Sequence, residues 1–206
     1  MTRPGYDVLA DRYAETFPDA YSTTLERHAV YAFVDTIRAS GRTGPVVDVG
    51  CGLGHVAADL AEHGIDVVGV EPSAGMLELA KSAHPDLRLI RGDALLDGVD
   101  LGAASGILAR YSLIHLPPDE VSTVLHDWST RLRPGTPVLL AGQARDAPGV
   151  QEFDHAVTRA WRWHPSTLAE AMRDAGLTEL WRTVSRPDET HRFPDYHLLA
   201  VASGSG

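Results

Sequence analysis

Residues 45–56 restrict the fold more than any other stretch of this chain: Pro45-Val46-Val47-Asp48-Val49-Gly50-Cys51-Gly52-Leu53-Gly54-His55-Val56. The run Val46 to Val49 reads as a buried parallel strand. Leu53, Ala57, Leu60 and Ala61 recur at helical spacing, which predicts a helix to His63 closed by Gly64. The glycines therefore fall where a strand turns into a helix. A turn without Cβ atoms lets a ligand lie against the backbone, and a helix N-terminus offers free N–H groups. Such a turn belongs at the C-terminal edge of a parallel sheet, where nucleotides bind. The spacing narrows the ligand. A G-x-G-x-x-G turn cradles a pyrophosphate, whereas here Gly50, Gly52 and Gly54 alternate and follow Asp48. A carboxylate is a poor neighbour for a pyrophosphate and a good one for an ammonium group. The alternative is a tight turn with no ligand.

The pattern D-x-G-x-G-x-G resembles motif I of the class I S-adenosylmethionine (SAM) methyltransferases, whose ligand has an amino-acid end. At 206 residues one domain is expected. It divides into an N-terminal helical cap (1–42), a SAM-binding core (43–142), a substrate-side insertion (143–165), and a C-terminal helix with a hairpin (166–206). The net charge of −10, from 18 basic and 28 acidic residues, argues against a phosphate-backbone partner. The single cysteine, Cys51, excludes an internal disulfide and reads as a small filler in the turn. The N-terminal residues lack an apolar signal region, and no apolar run is long enough to span a bilayer. The expectation is a soluble cytoplasmic protein without membrane or nucleic-acid partners, acting as a monomer or homodimer.

Tyr6, Leu9, Ala10, Tyr13 and Phe17 mark a first apolar helix face, and Tyr13 either closes over the cofactor or packs. A second helix runs from about Thr24 to Ala39, with Thr23 and Glu26 fitting a capping box and Gly41 ending it. The second strand, 66–70, ends at Glu71, about 20 residues beyond the glycine turn, the place of the ribose hydroxyl acceptor in doubly wound folds. Pro72 to Leu77 opens the next helix, with Met76 on the adenine face or in the core. After the third strand, Asp93 is placed to accept from an adenine amino group, with the Ala94 N–H donating to the ring. Asp93 also reads as a helix N-cap. The fourth strand, 103–109, leads to Arg110-Tyr111-Ser112-Leu113-Ile114-His115, and Pro117-Pro118 start a helix to about Arg131. Thr136–Ala141 is the fifth strand. Residues 142–165 read as an irregular insertion. Ser166 or Thr167 with Glu170 caps a helix ending at Gly176, and two antiparallel strands close the chain.

Asp48, Gly50, Gly52, Gly54, Glu71, Asp93 and Leu132-Arg133-Pro134-Gly135 follow the order of the class I SAM methyltransferases, over about residues 40–203. Within them the chain resembles the small bacterial enzymes acting on metabolites, through Ser112 to Pro118, Tyr6-Asp7, Tyr13 and His191-Arg192. The resemblance implies a Rossmann-like, doubly wound α/β fold. Its seven-stranded sheet is mostly parallel, with a C-terminal antiparallel hairpin. It also implies SAM as cofactor, S-adenosylhomocysteine as product, and methyl transfer to a small molecule, O- or N-methylation of a secondary metabolite being expected. A non-methylating enzyme on this fold, such as a natural-product cyclase, is the alternative. His115 is the candidate base, or lines the site, or packs against the prolines. Arg110 and Tyr111 are expected near the methionine end of SAM and the acceptor, and Arg110 alternatively pairs with an acidic helix residue. Trp161, Trp163 and Phe153 wall the acceptor or belong to the core. No metal-ligand spacing is present.

Overall fold

The computed structural model describes residues 5–189 and 191–204. The N-terminal residues 1–4, read above for a signal region, lie outside that range. The core is a seven-stranded sheet. Its parallel strands are β1 (Val46–Val49), β2 (Val67–Glu71), β3 (Arg88–Arg91), β4 (Gly106–Arg110) and β5 (Pro137–Gln143). The last two, β8 (Leu177–Val184) and β9 (Asp195–Ala202), form the antiparallel hairpin. The order β3-β2-β1-β4-β5-β9-β8 reverses direction between β1 and β4, and that switch opens a crevice above the strand ends.

Alternate residues of each strand feed two cores. Val46, Leu108, Leu139 and Leu199 meet Phe33 and Ile37 of α2 (Thr24–Ser40) and Leu60 of α3 (His55–Glu62). Val47, Ile107, Leu140 and Leu198 face the other way, onto Trp128 of α5 (Pro118–Arg131) and Met172 of α6 (Pro165–Asp174). Both faces are covered, which is why the strands read as unbroken apolar runs. Two further helices, α1 (Tyr6–Thr16) and α4 (Ala74–Ala83), complete the crevice side.

Three expectations change. The insertion is not irregular: β6 (Val150–Phe153) and β7 (Ala160–Trp163) pair antiparallel as a separate two-stranded sheet. Neither Ser166 nor Thr167 caps α6. His164 does, its Nδ1 accepting from the Ser166 N–H at 3.2 Å, with Pro165 filling the first helical position. Asp93 caps no helix, because a turn links β3 to β4 there. Its carboxylate accepts from the Leu95 N–H at 2.9 Å. That helix-free stretch is stapled to α5 instead. Trp128 Nε1 donates to the Ala94 carbonyl at 2.8 Å, and Arg131 donates to the carbonyls of Leu95, Leu96 and Val99.

Candidate active site

Parallel strands place their C-terminal residues at one edge, so Asp48, Glu71 and Arg110 line up across the crevice without contact in sequence. Between β1 and α3 the chain makes its turn with Gly50, Gly52 and Gly54 at φ 68°, 56° and 76°. An alanine at 50 would carry a left-handed strain and would also set its Cβ 2.4 Å from that of Ser112, in the segment after β4. The glycine thus lets two strand ends approach. Cys51 fills this turn, and burial first, then the charges of Asp48 and Glu71, push its thiol up, which leaves it inert.

Asp48 is 4% exposed, and no described residue donates a hydrogen bond to it. Burial pushes its carboxyl up to about 7, with Arg110 pulling the other way and Glu71 adding to the rise. Glu71 is held differently. One of its oxygens accepts from the Gly52 N–H at 2.9 Å and the other from the Ser73 N–H at 2.8 Å, while burial raises its carboxyl. Each of these oxygens keeps a lone pair for a further donor. The edge therefore offers two carboxylates and an open backbone turn. A pyrophosphate does not fit that acceptor set; a ligand with an ammonium group and vicinal hydroxyls does.

α1 roofs this edge. The Asp7 carboxylate accepts from Ser73 Oγ at 2.6 Å and from the Gly75 N–H at 3.2 Å, pinning α1 to the start of α4. A Cβ at Gly75 would lie 3.3 Å from that of Ala10, so glycine permits the close approach. Tyr6, Tyr13, Ala10, Leu53 and Met76 then form one small apolar cluster beside the glycine turn. Met76 is 2% exposed there, so core packing accounts for its side chain.

Tyr6, by its spacing a residue of the apolar face of α1, reaches across to His115. Its hydroxyl lies 2.8 Å from His115 Nε2, and His115 Nδ1 lies 2.9 Å from the Arg159 carbonyl. A carbonyl only accepts, so Nδ1 carries the proton and Nε2 presents its lone pair to the Tyr6 O–H. Burial lowers the His115 pKa, with the carbonyl contact opposing it, which keeps the ring neutral at pH 7. Burial raises the Tyr6 hydroxyl, so the phenol stays protonated.

The other candidates divide. Arg110 pairs with the helix carboxylate Glu26 at 3.2 Å, both almost buried, and its charge still reaches Asp48. Glu26 accepts from the Ser22 N–H and the Tyr111 hydroxyl, both at 2.7 Å, so it is more than the capping residue its spacing indicates. Tyr111 sits at φ 53°, which is strained for a bulky residue, and its hydroxyl is spent on Glu26. Gly54 starts α3 and faces Ala80 and His84 rather than the crevice. Pro72 and Asp93 are exposed beyond β2 and β3, with Ala94 beside the latter. Trp163 joins the main core. Trp161 is buried under the Arg159 guanidinium, 4.9 Å from its ring. Among the described residues no group of His, Cys, Asp and Glu could hold a metal, and no helix is long and apolar enough to cross a membrane.

Residues 46–135 match the model of a methyltransferase domain family. The chain is 33% identical over 114 residues to the demethylmenaquinone methyltransferase of Beutenbergia cavernae, covering 55% of this chain and 46% of that one. It is 30% identical over 134 residues to an uncharacterised methyltransferase of Anoxybacillus flavithermus, covering 65% and 58%. The chain thus spans about half the length of the curated relatives it matches. Among solved structures it resembles the 1,6-didemethyltoxoflavin-N1-methyltransferase of Burkholderia thailandensis (TM-score 0.67, 20% identity, 95% of this chain and 88% of that one). It also resembles the magnesium protoporphyrin IX methyltransferase of Synechocystis (TM-score 0.68, 18% identity, 94% of each). At these identities the likeness is one of fold.

Proposed function

We propose that the chain, whose residues 46–135 match a methyltransferase domain family, is a SAM-dependent methyltransferase that transfers a methyl group to a small-molecule acceptor through an oxygen or nitrogen atom. The observation that carries this reading is the buried Asp48 carboxylate, without a hydrogen-bond donor among the described residues, at a glycine turn on the strand edge that also carries a neutral histidine.

The residues that would hold SAM are the Gly50–Gly52 turn, with Asp48 for the ammonium group and Glu71 for the ribose hydroxyls. Asp93 and Ala94 would take the adenine edge, with Pro72, Met76 and Tyr13 as walls. Gly54 supports by starting α3, and Arg110 by balancing Asp48. When bound, SAM supplies a methyl group on a positively charged sulfur, whose bond electrons stay with S-adenosylhomocysteine. The chain's task is then position and proton handling. The Nε2 lone pair of His115 already accepts the Tyr6 O–H, so the proton leaves by relay: as the acceptor's lone pair bonds to carbon, the Tyr6 oxygen takes the O–H or N–H proton and passes its own to Nε2. Proton removal favours hydroxyl and acidic N–H acceptors over thioethers or tertiary amines. Tyr111 and the tryptophans would act on the acceptor only through Glu26 and through packing. α1 keeps water from the edge. The charge of −10 supports a metabolite rather than nucleic acid as the acceptor.

The test is calorimetry with S-adenosylhomocysteine and NADH, followed by S-adenosylhomocysteine release from SAM across a panel of phenols, hydroxyacids and heteroaromatic N–H compounds. Heat with NADH alone, or tight S-adenosylhomocysteine binding with no release on any acceptor, would count against the reading.

A further inference from the structure

The acceptor side of the edge holds a group of charges that the reading above leaves unused. Arg145 follows β5, Arg162 lies in β7, and Arg192 precedes β9, which runs antiparallel and so begins beside the end of β5. Other arginines beside this crevice or its ribbon are neutralised, Arg110 by Glu26 and Arg159 by Glu152. Among the described residues Arg145, Arg162 and Arg192 have no ion-pair partner, in a chain with ten more acidic than basic residues. Arg162 and Arg145 each keep an Nε that is sealed from solvent and unpartnered. The remaining contacts of Arg162 are long and neutral, 3.3 Å to the Ala144 carbonyl and 3.5 Å to Gln151 Oε1. Burial and then the charges of Arg145 and Arg192 hold Arg162 below the ordinary guanidinium range, and Asp146 only partly opposes them. Three like charges with only Asp146 opposing them raise the energy of the empty site, and an anion would relieve it.

Aromatic rings connect this group to His115. The His115 ring lies 4.9 Å from that of His155. From there the line continues through Phe153 at 5.7 Å to Phe193 at a further 5.4 Å. The guanidinium of Arg162 sits 3.9 Å over Phe193, and that of Arg192 sits 4.6 Å from the same ring. A planar acid stacked against Phe193 would meet the arginines at one end, and the ring series leads from there towards His115.

We propose that Arg145, Arg162 and Arg192 bind an oxyanion carried by the methyl acceptor, which is accordingly a planar aromatic or heteroaromatic acid. This rests on the methyltransferase reading for the word acceptor, but the anion site is testable without it. Guanidinium forks match carboxylate and phosphate oxygens alike, so the probes are 2-naphthoate, 2-naphthyl phosphate and the neutral 2-naphthamide, titrated into the intact protein by calorimetry. At least one anion is expected to bind roughly tenfold or more tightly than the amide. The tighter anion then names the headgroup. Arg162→Gln and Arg145→Gln, checked for folding by thermal melt, are expected to abolish that preference while S-adenosylhomocysteine still binds. Equal affinity for anions and amide in the parent protein, absence of anion binding, or a preference that survives in both variants would each overturn the proposal. The parent comparison needs no variant to fold. Should S-adenosylhomocysteine fail to bind while the anion preference holds, the methyl-transfer reading falls and the arginine site stands.

Discussion

Asp48→Asn separates what serves folding from what serves binding. The amide has the shape of the carboxylate but carries no charge. Burial pushes the Asp48 carboxyl up to about 7 from an ordinary 3.8. Holding it ionised in the folded chain therefore costs about 4 kcal/mol, an upper figure from three units of displacement. The unfolded chain releases this proton near the ordinary value, and the folded chain keeps it until about 7. The cost is thus absent below the lower value, grows as pH rises between the two, and is constant above. Asparagine avoids it. The variant is expected to melt higher than the parent at pH 8, on the order of 10 °C for a chain of this size, and to lose that advantage by pH 4. Binding should move the opposite way. Deleting a desolvated partner of an ammonium group costs about 2–5 kcal/mol, so S-adenosylhomocysteine should bind at least roughly 30-fold more weakly. In the parent, ligand capture requires the ionised form, and affinity should fall about tenfold from pH 8 to pH 6. The assays are thermal melts across that range and calorimetry at both ends. A variant that melts lower at pH 8, or parent affinity flat with pH, would refute the assignment of Asp48.

Other outcomes follow from the same geometry. His115→Ala should lower turnover while leaving S-adenosylhomocysteine affinity nearly intact; equal loss of both would remove His115 from proton handling. Tyr6→Phe deletes the hydroxyl that relays the proton to Nε2 and should lower kcat more than KM for the acceptor, which steady-state kinetics on a responsive acceptor would measure. Arg131→Ala frees the carbonyls of the 93–101 stretch and should cost about 1–3 kcal/mol in urea unfolding. His197 is 2% exposed and held down to about 4 by burial first and Arg110 second. The unfolded chain takes up this proton near 6.5, so stability falls as pH drops from 6.5 towards 4, by up to about 3 kcal/mol. His197→Gln should flatten that limb of the melting profile.

Strand ends were readable because their chemistry is local. Val46 to Gly54 carries its pleat, turn and first acid within nine residues, and Glu71 ends the next strand in the same way. Tyr6 was not readable as a partner of His115, since 109 positions separate them and only the docking of α1 through Asp7 joins them. Glu26 was half legible: its spacing from Thr23 signals a helix start, but its burial against Arg110 and Tyr111 needs β4 in place. The hairpin β6–β7 gave no alternating pattern because Gln151 and Glu152 are both exposed and Ala160 and Trp161 both buried. The arginines hid for a similar reason, scattered over 145–192 and gathered only by the reversal of β9.

The near-contact of Gly50 with Ser112 has a consequence for how such a chain diversifies. Any side chain added at 50 would shove the segment that carries His115, so donor and acceptor halves share one hinge-point and neither can be retuned there alone. On the proposed reading, novelty in the acceptor must enter elsewhere. The stretch from Arg145 to Trp163 meets that requirement: Trp163 anchors it in the core, but its strands form a sheet of their own, so its exposed residues can drift while the cradle below keeps its shape.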